Sequence, residues 1–460
     1  MTTISGNGSQ PPPEEGTVAV AAPAAPAPPP RIDWLGLYVG YVNAGPVTAG
    51  PENSLLVLGP PRSGKTSSVV VPNALVAPGA VVSTSTKTDV LALTAPTRRA
   101  RGTCWLFDPG ASVGPVAGTT PLRWSPVSGC EQWDIAVGTA HALVSATRTD
   151  RDFLDSTYWR ERAESLLAPL LHAAALVGLD IGWVLRWVLR RDVREAAATV
   201  ATHGSPVAGD VLENIMGAEE RERSGVFSTA ANVLSAYRSE AAVEAAREPN
   251  FDPWSFVRSS DTIYICAPGS DQDQLAPLVV ALLDQIKRAI YAREHGWPPV
   301  VWLLDELANI APLPDLPKIV SEGGGQGLVT LACLQDLSQA RTRWGAAADG
   351  FLSLFRQKLV LPGIADGQTL ELISRLAGEM DVRVQSVTRP AGLPILWPKG
   401  AHRSVSTSVR RQRRLPVDEV SRGRPGWGLY ISAGQMPGWV ALTPWWSAPW
   451  NLAADGSRSA

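Results

Sequence analysis

An eight-residue glycine-rich loop that follows an apolar run constrains this 460-residue chain more than any other feature. The apolar run occupies residues 54–58, and the loop after it reads Gly-Pro-Pro-Arg-Ser-Gly-Lys-Thr. This sequence matches the pattern G-x-x-x-x-G-K-[ST], which forms a phosphate-binding turn between a strand and a helix. Its glycines let backbone N–H groups and the N-terminus of the next helix approach a polyphosphate closely. We therefore predict that a nucleotide binds at Gly59, Pro60, Pro61, Arg62, Ser63, Gly64, Lys65 and Thr66.

The last two residues of the loop have distinct predicted roles. Lys65 supplies a positive charge to the terminal phosphates, and the Thr66 hydroxyl can ligate the Mg²⁺ that bridges them. The predicted ligands are therefore ATP and Mg²⁺. The alternative is a plain Gly/Pro turn, but this spacing after a β-like run rarely arises by chance.

A second strand supplies the carboxylates that such a loop requires. The apolar run at 300–304 ends in Asp305 and Glu306, as expected for a strand that is buried on both faces. We predict that Asp305 holds the water shell of Mg²⁺ and that Glu306 polarises the attacking water as a general base. The alternative is an acidic helix start, because carboxylates also favour helix N-termini.

Gln335 ends the next predicted strand in the sequence, at 328–334. At that position its side chain could reach the γ-phosphate or the attacking water and report hydrolysis to the following helix. An amide that satisfies loop backbone explains the residue equally well, and the sequence leaves both interpretations open.

The composition limits the other function classes. The net charge of −2 excludes a global electrostatic attraction to nucleic acid, so any such surface must be local. The four cysteines are scattered without C-x-x-C pairing, which argues against a zinc site and suits a reducing compartment. No secretory signal is recognisable, and residues 165–185, although long enough to span a membrane, contain Pro169, His172 and Asp180. We interpret that segment as two buried helices.

The order of the apolar segments predicts an α/β fold with a mainly parallel sheet. Strands near 54–58, 80–83 and 104–107 alternate with helices, whereas 131–248 shows helical patterning almost throughout. Strands are expected again at 262–266, 300–304, 328–334 and 358–361, and a final antiparallel pair at 428–431 and 439–442. The predicted domains are a nucleotide-binding domain at 32–125 and 251–450, an inserted all-α domain at 126–250, and disordered tails at 1–31 and 451–460.

These motifs together resemble the conjugative coupling ATPases of type IV secretion systems, the TraG/TraD type. The resemblance covers about residues 50–445. The phosphate loop is generic, and the specific part is its combination with Val71-Pro72-Asn73, Phe107-Asp108-Pro109 and Leu334 through Gln339. Further matching segments are Val82–Lys87 with Asp89, Trp159–Ala163 and Leu304–Leu307.

The resemblance implies a RecA-like domain with a membrane-distal all-α domain, assembled as a homo-oligomeric ring such as a hexamer. In that family ATP hydrolysis drives single-stranded DNA, with its relaxase, toward the secretion channel, and the all-α domain recognises the DNA-processing complex. The expected location is therefore cytoplasmic, with membrane association through a partner. Members usually carry N-terminal transmembrane helices, whereas the first strand is expected here near residue 54. The anchor is then a separate protein, or the chain is a soluble variant.

Ring ATPases generally need an arginine from the neighbouring subunit to stabilise the charge of the transferred phosphoryl group. Where this arginine is expected, between the acidic strand and Gln335, residues 321–327 contain none. The candidates that remain open are Arg341, Arg343, Arg356 and Arg375.

A local DNA-binding surface is predicted near the C-terminal end. Five arginines lie between 401 and 414 with no acid among them: Arg403, Arg410, Arg411, Arg413 and Arg414. Repeated around a ring, they could grip the DNA backbone without sequence preference. The alternative is a solvated loop whose charges maintain solubility.

Two further functions share the same motifs. One is a pump for duplex DNA, which strand preference in a DNA-stimulated ATPase assay would distinguish. The other is a nucleotide-gated docking protein with little hydrolysis, which the arginine-free segment favours and the intact Lys65, Asp305 and Glu306 oppose.

Overall fold

A computed structural model describes most of the chain. The described residues are 34–43, 45–147, 156–388, 404–447 and 449–450. The two predicted tails lie outside these ranges.

Within these described ranges, fourteen strands form a twelve-stranded sheet and a separate two-stranded sheet. The strands are β1 Tyr38–Val42, β2 Gly45–Thr48, β3 Leu55–Leu58, β4 Val81–Ser85, β5 Cys104–Phe107, β6 Thr120–Pro121, β7 Thr262–Cys266, β8 Val300–Leu304, β9 Leu328–Leu334, β10 Gln357–Val360, β11 Glu379–Thr388, β12 Ser404–Arg413, β13 Trp427–Ser432 and β14 Gly438–Ala441.

The large sheet has the order β2-β1-β14-β13-β10-β3-β9-β8-β4-β7-β5-β6. All pairings from β10 to β6 are parallel, and the four strands beyond β10 are antiparallel. Every residue of β3, β8 and β9 is buried, because helices cover both faces of these strands. The predicted α/β class, its mainly parallel sheet and the final antiparallel pair are confirmed.

Seventeen α-helices connect and cover the strands in the described ranges. They are α1 Val71–Val76, α2 Asp89–Arg98, α3 Trp133–Ala146, α4 Ser156–Leu176, α5 Ile181–Arg190, α6 Arg194–His203, α7 Pro206–Met216, α8 Glu220–Val233, α9 Glu240–Ala245, α10 Pro253–Phe256, α11 Gln272–Ala292, α12 Leu307–Ile310, α13 Leu316–Glu322, α14 Leu337–Trp344, α15 Phe351–Leu354, α16 Gly367–Leu376 and α17 Val417–Arg422. A π-helical turn at Thr66–Val70 precedes α1, and short 3₁₀ turns occupy Ser235–Arg238, Gly324–Gln326 and Gly345–Gly350.

Two hydrophobic cores lie on the two faces of the large sheet. The core on one face is continuous with the packed interior of α3 to α9, the helices between β6 and β7. The core on the other face joins α1, α2, β1 and the segment after β14. The helical content predicted for 131–248 is confirmed, and 165–185 forms two helices, α4 and α5. No helix within the described ranges combines the length and the apolar character that a membrane span requires.

The expectation that the first strand lies near residue 54 is wrong. The hairpin of β1 and β2 precedes β3, and β1 pairs antiparallel with β14 through Tyr41 and Ala441. Glycine and proline in the segment Gly45–Thr48 weaken the strand signal in the sequence. Pairing with β1, a strand rich in Tyr and Val that itself pairs with the C-terminal strand β14, overrides this weak local preference of β2.

The arginine-rich segment at 404–413 is a strand rather than a loop, and the side chains at 405–412 are exposed to solvent. It forms β12, which pairs antiparallel with β11 over ten residue pairs, from Glu379 opposite Arg413 to Thr388 opposite Ser404. This two-stranded ribbon is separate from the large sheet. The predicted DNA contact Arg403 lies outside the described residues.

Candidate nucleotide-binding site

Three neighbouring parallel strands bring the predicted site residues together. In the sheet β9 lies between β3 and β8, so the phosphate loop after β3 and the acids after β8 flank the end of β9. The Gly59 N–H donates to the Leu334 carbonyl at 3.1 Å, which ties the start of the loop to the end of β9. Ligands of open α/β sheets bind outside these carboxyl ends. The geometry therefore places Lys65, Asp305 and Gln335 at one edge of the sheet.

The loop backbone requires glycine at both ends. A Cβ on Gly59 would lie 2.6 Å from the Ser63 hydroxyl and 2.8 Å from the Leu361 Cβ. Gly64 has a φ of 97°, in the left-handed region that side chains disfavour. Arg62 also has a positive φ of 64°, and this strain in a non-glycine residue is typical of ligand-binding turns.

Lys65 folds its ammonium group back over the loop. Its Nζ donates to the Gly59 carbonyl at 2.6 Å and to the Pro60 carbonyl at 3.0 Å. These bonds hold the positive charge at the centre of the turn, where a phosphate would exchange for the carbonyl contacts.

Thr66 and Asp305 are in direct contact. The Thr66 hydroxyl donates to Asp305 Oδ2 at 2.7 Å, a bond that joins residues 239 positions apart in the sequence. This contact brings together the two residues predicted to organise Mg²⁺.

Burial raises the pKa of both acids at the end of β8. Burial is the main cause for Asp305, and the Thr66 hydrogen bond and the Lys65 charge act in the opposite direction. For Glu306 the pKa is raised by burial and then by the Asp305 charge, and Lys65 opposes this shift. A carboxyl group with a raised pKa suits general-base chemistry because it holds a proton more readily than an ordinary glutamate.

Two buried oxygens at the site make no hydrogen bond with the described residues. They are Asp305 Oδ1 and the Ser63 hydroxyl oxygen. A buried carboxylate oxygen without a donor is costly unless a cation or water satisfies it. These oxygens, together with the Thr66 hydroxyl, form the kind of hard oxygen donor set that Mg²⁺ prefers.

Gln335 occupies the position between the loop and the acids. Its backbone N–H donates to Gln339 Oε1 at 2.9 Å, at the start of α14. The strand order thus supports contact between this residue and a terminal phosphate, and the hydrogen bond connects it to the helix beyond.

The sequence did not assign a site role to Asp89, which the structure places close to these acids. β4, which leads to α2, pairs with β8, and the charge of Asp89 contributes to the raised pKa of Asp305. The motif around Asp89 was visible in the sequence, but the order of strands in the sheet was not.

The clustered arginines are partly neutralised by acids that are distant in the sequence. Arg413 donates to both carboxylate oxygens of Glu371 on α16, and Arg411 Nε lies 3.1 Å from Glu379 Oε2 on β11. The local absence of acids therefore does not mean a fully unpaired positive cluster. Arg410 and Arg414 form no ion pair with the described residues.

The parallel sheet and the phosphate loop define the class of RecA-like P-loop folds. The unbound bacterial conjugative coupling protein TrwB aligns with a TM-score of 0.68 and 19% identity, over 90% of this chain and 89% of that chain. TrwB in complex with ADP and Mg²⁺ aligns with a TM-score of 0.64 and 20% identity, over 86% of each chain. These similarities show the fold.

The profile of the family described as Type IV secretory system Conjugative DNA transfer matches residues 27–422. The chain therefore belongs to this conjugative DNA transfer family. Two conjugal transfer proteins TraG of Escherichia coli are 26% identical over 330 residues and 25% identical over 377 residues. The alignments cover 64% and 74% of this chain, and 50% and 57% of the relatives. The chain thus spans about half the length of the curated relatives it matches.

Proposed function

We propose that this chain binds ATP with Mg²⁺ and hydrolyses it to move single-stranded DNA during conjugative transfer. The observation that carries the proposal is the convergence of Lys65, Thr66, Asp305 and Glu306 at the carboxyl ends of β3 and β8. The solved relative TrwB that holds ADP and Mg²⁺ supports this choice of ligand.

Each site residue has a proposed role in hydrolysis. Residues Gly59–Thr66 cradle the phosphates, and Lys65 moves its charge from the loop carbonyls to the terminal phosphate oxygens. Asp305 and Thr66 hold Mg²⁺, which neutralises charge on the phosphates when bound. Glu306 accepts the proton of the attacking water, and Gln335 orients that water or the γ-phosphate.

ATP hydrolysis by the purified protein, with and without single-stranded DNA, tests the proposed activity. DNA-stimulated turnover is the expected result. Stimulation by duplex rather than single-stranded DNA would instead indicate a duplex pump, and ATP binding without turnover under ring-forming conditions would indicate the docking function.

Replacing Lys65 with alanine should weaken ATP binding by about 10- to 100-fold. A hydrogen bond to a charged group contributes about 1.5–3 kcal/mol, and Lys65 supplies such bonds to the phosphates. Titration calorimetry of Lys65→Ala with ATP and Mg²⁺ measures the loss. The exposed Lys318 on α13 gives a matched control, Lys318→Ala, which should bind as the wild type does. Equal affinities of the two variants would remove Lys65 from the site.

The docking function also has structural support. Three of the four candidate arginines are engaged within their own chain: Arg341 lies 2.7 Å from Asp366, Arg343 donates to the Ala146 carbonyl at 2.6 Å, and Arg375 lies 3.1 Å from Glu371. Arg356 is exposed beside the start of β10, at the edge of the sheet opposite the phosphate loop. An arginine that acts across a subunit boundary would therefore be Arg356, or one of the other three after it leaves its contact within its own chain.

The domain division and the partners are part of the same proposal. We assign residues 32–125 and 251–450 to the nucleotide-binding domain and residues 126–250 to an all-α domain that docks the relaxase or relaxosome. The proposed assembly is a homo-oligomeric ring that acts in the cytoplasm beside the secretion-channel proteins, with a partner holding it at the membrane.

For DNA binding, the contacts divide the arginines at the end of β12 and directly after it into two pairs. Arg410 and Arg414 are the better candidates for phosphate contacts, because Arg411 and Arg413 hold carboxylates. The double variant Arg410→Ala/Arg414→Ala should reduce the salt dependence of single-stranded DNA binding. The expected decrease in the slope of log K against log salt is about 0.7 for each lost phosphate contact.

A matched control for this experiment is the double variant Arg190→Ala/Arg191→Ala. It removes the same charge from two exposed arginines at the end of α5. If both double variants keep the wild-type slope, the ribbon is not part of the DNA site. If both lower it equally, the effect is one of net charge.

A further inference from the structure

The helix that follows the phosphate loop begins with a π-helical turn. This turn spans Thr66–Val70, and the Val71 N–H donates to the Thr66 carbonyl, five residues earlier. In the same register residue 72 would donate to the Ser67 carbonyl. Residue 72 is a proline, which has no N–H, so the helix itself supplies no donor to Ser67 in this register.

A distant segment of the chain supplies the missing donor. The Trp445 N–H donates to the Ser67 carbonyl at 3.0 Å. Trp445 follows the last strand, β14, and its side chain packs against the core that includes Val69 and Val70. The position of Pro72 and the bond from Trp445 are therefore complementary: one leaves a carbonyl open and the other satisfies it.

The next residue, Asn73, ties the same helix to strand β1. Its side chain is fully buried, and its Oδ1 accepts a hydrogen bond from the Tyr38 N–H at 2.8 Å. Its Nδ2 donates to the Tyr38 carbonyl at 2.8 Å and to the Val69 carbonyl at 2.9 Å. The side-chain amide thus pairs with the backbone of β1 as a neighbouring strand would.

The two attachments meet in one packed group. The Tyr38 ring contacts the Trp450 ring edge-on with centroids 5.2 Å apart. Strand β1 also pairs with β14 through Tyr41 and Ala441, so the two ends of the described chain support each other. We call Tyr38, Asn73, Trp445 and Trp450 the helix clamp.

We propose that the helix clamp positions Lys65 and Thr66 and links nucleotide binding to order in β1 and in residues 442–447. The inference rests on the proposed nucleotide site, because the clamped turn begins at Thr66, which contacts Asp305. Asn73 and Trp445 touch neither phosphate nor metal in this proposal, and they act by fixing the helix that carries the binding groups. Because coupling between two sites is reciprocal, ATP binding should in turn stabilise the helix-clamp contacts that hold the helix in its binding position.

The test compares Asn73→Ala with Asn250→Ala. Asn250 is a matched control, because its exposed amide also bonds backbone on both sides, accepting from the Arg123 N–H and donating to the Pro121 carbonyl. We expect Asn73→Ala to lose about fivefold or more in ATP affinity, as is typical of coupled sites, and Asn250→Ala to bind as the wild type does. Titration calorimetry with ATP and Mg²⁺ measures both.

Hydrogen exchange distinguishes the proposed link to nucleotide binding from a purely structural role of the helix clamp, because exchange at a purely structural clamp would not respond to ATP. In the wild type, ATP should slow amide exchange in residues 38–42 and 442–447 as well as in the loop. The Pro72→Ala variant returns an N–H to the helix, which competes with Trp445 for the Ser67 carbonyl. In that variant, exchange in 442–447 should be faster and should no longer respond to ATP, while the helix stays folded. This second variant keeps the test informative if Asn73→Ala does not fold.

The outcomes separate the clamp from the nucleotide site itself. Wild-type protein that binds no ATP would overturn both proposals. ATP binding that protects only the loop, or that is equally strong in Asn73→Ala and the wild type, would overturn the clamp and leave the nucleotide site in place. Wild-type exchange behaviour of residues 442–447 in Pro72→Ala would also overturn the clamp.

Discussion

The Glu306→Gln variant should bind ATP with nearly wild-type affinity and hydrolyse it about 10²- to 10⁴-fold more slowly. This range is the usual contribution of a positioned general base, and glutamine cannot accept the proton. Steady-state turnover with saturating ATP, Mg²⁺ and single-stranded DNA measures kcat, and titration calorimetry measures binding. Because burial and the Asp305 charge raise the pKa of Glu306, wild-type turnover should begin to fall, as the pH is lowered, at a higher pH than for an ordinary glutamate.

The matched control is Glu294→Gln, an exposed glutamate after α11, which should leave kcat unchanged. A Glu306→Gln variant that turns over at the wild-type rate would show that another group activates the water. A wild type that is as slow as this variant would instead support the nucleotide-gated docking function.

The local sequence was sufficient for the parallel half of the sheet, except for the two-residue strand β6. The strands β3, β8 and β9 are buried on both faces, and strands of this kind have continuous apolar sequences. The polar residues that follow these strands, Lys65, Asp305 and Gln335, could therefore be recognised as site candidates from the sequence alone. That β9 lies between the other two strands is a long-range fact that the local pattern does not contain.

The antiparallel additions and the charge balance depended on distant partners. Strand β1 is held by β14 and by the side chain of Asn73, and no signal within its own residues reports either contact. The arginines of β12 appeared unpaired because Glu371 and Glu379 precede them by more than 30 residues. Asn73 was visible as part of a motif, but its role became apparent only with Tyr38 beside it.

The Asp305→Asn variant should be more stable than the wild type without nucleotide at pH 7.5 and should bind ATP with Mg²⁺ more weakly. Burial raises the pKa of Asp305, so its ionised form opposes folding. For such an acid the stabilising contribution is present below the unfolded pKa of about 3.9 and is lost as the pH rises through the folded pKa. Asparagine stays neutral and can still accept the Thr66 hydrogen bond.

Thermal unfolding at two pH values and with two ligand conditions tests this trade-off. Without nucleotide, the Tm of the variant should exceed that of the wild type at pH 7.5, by about 1–2 °C for each kcal/mol gained in a chain of this length, and the difference should shrink as the pH is lowered. Saturating ATP with Mg²⁺ should reverse the order, because ligand at 100 times its Kd stabilises the wild type by about 2.7 kcal/mol. The exposed Asp349 provides the control Asp349→Asn, which should have the same Tm as the wild type under every condition. A variant that is less stable at pH 7.5 without nucleotide would mean that the Asp305 carboxylate supports the fold, whereas the predicted reversal would mean that it is retained for the metal.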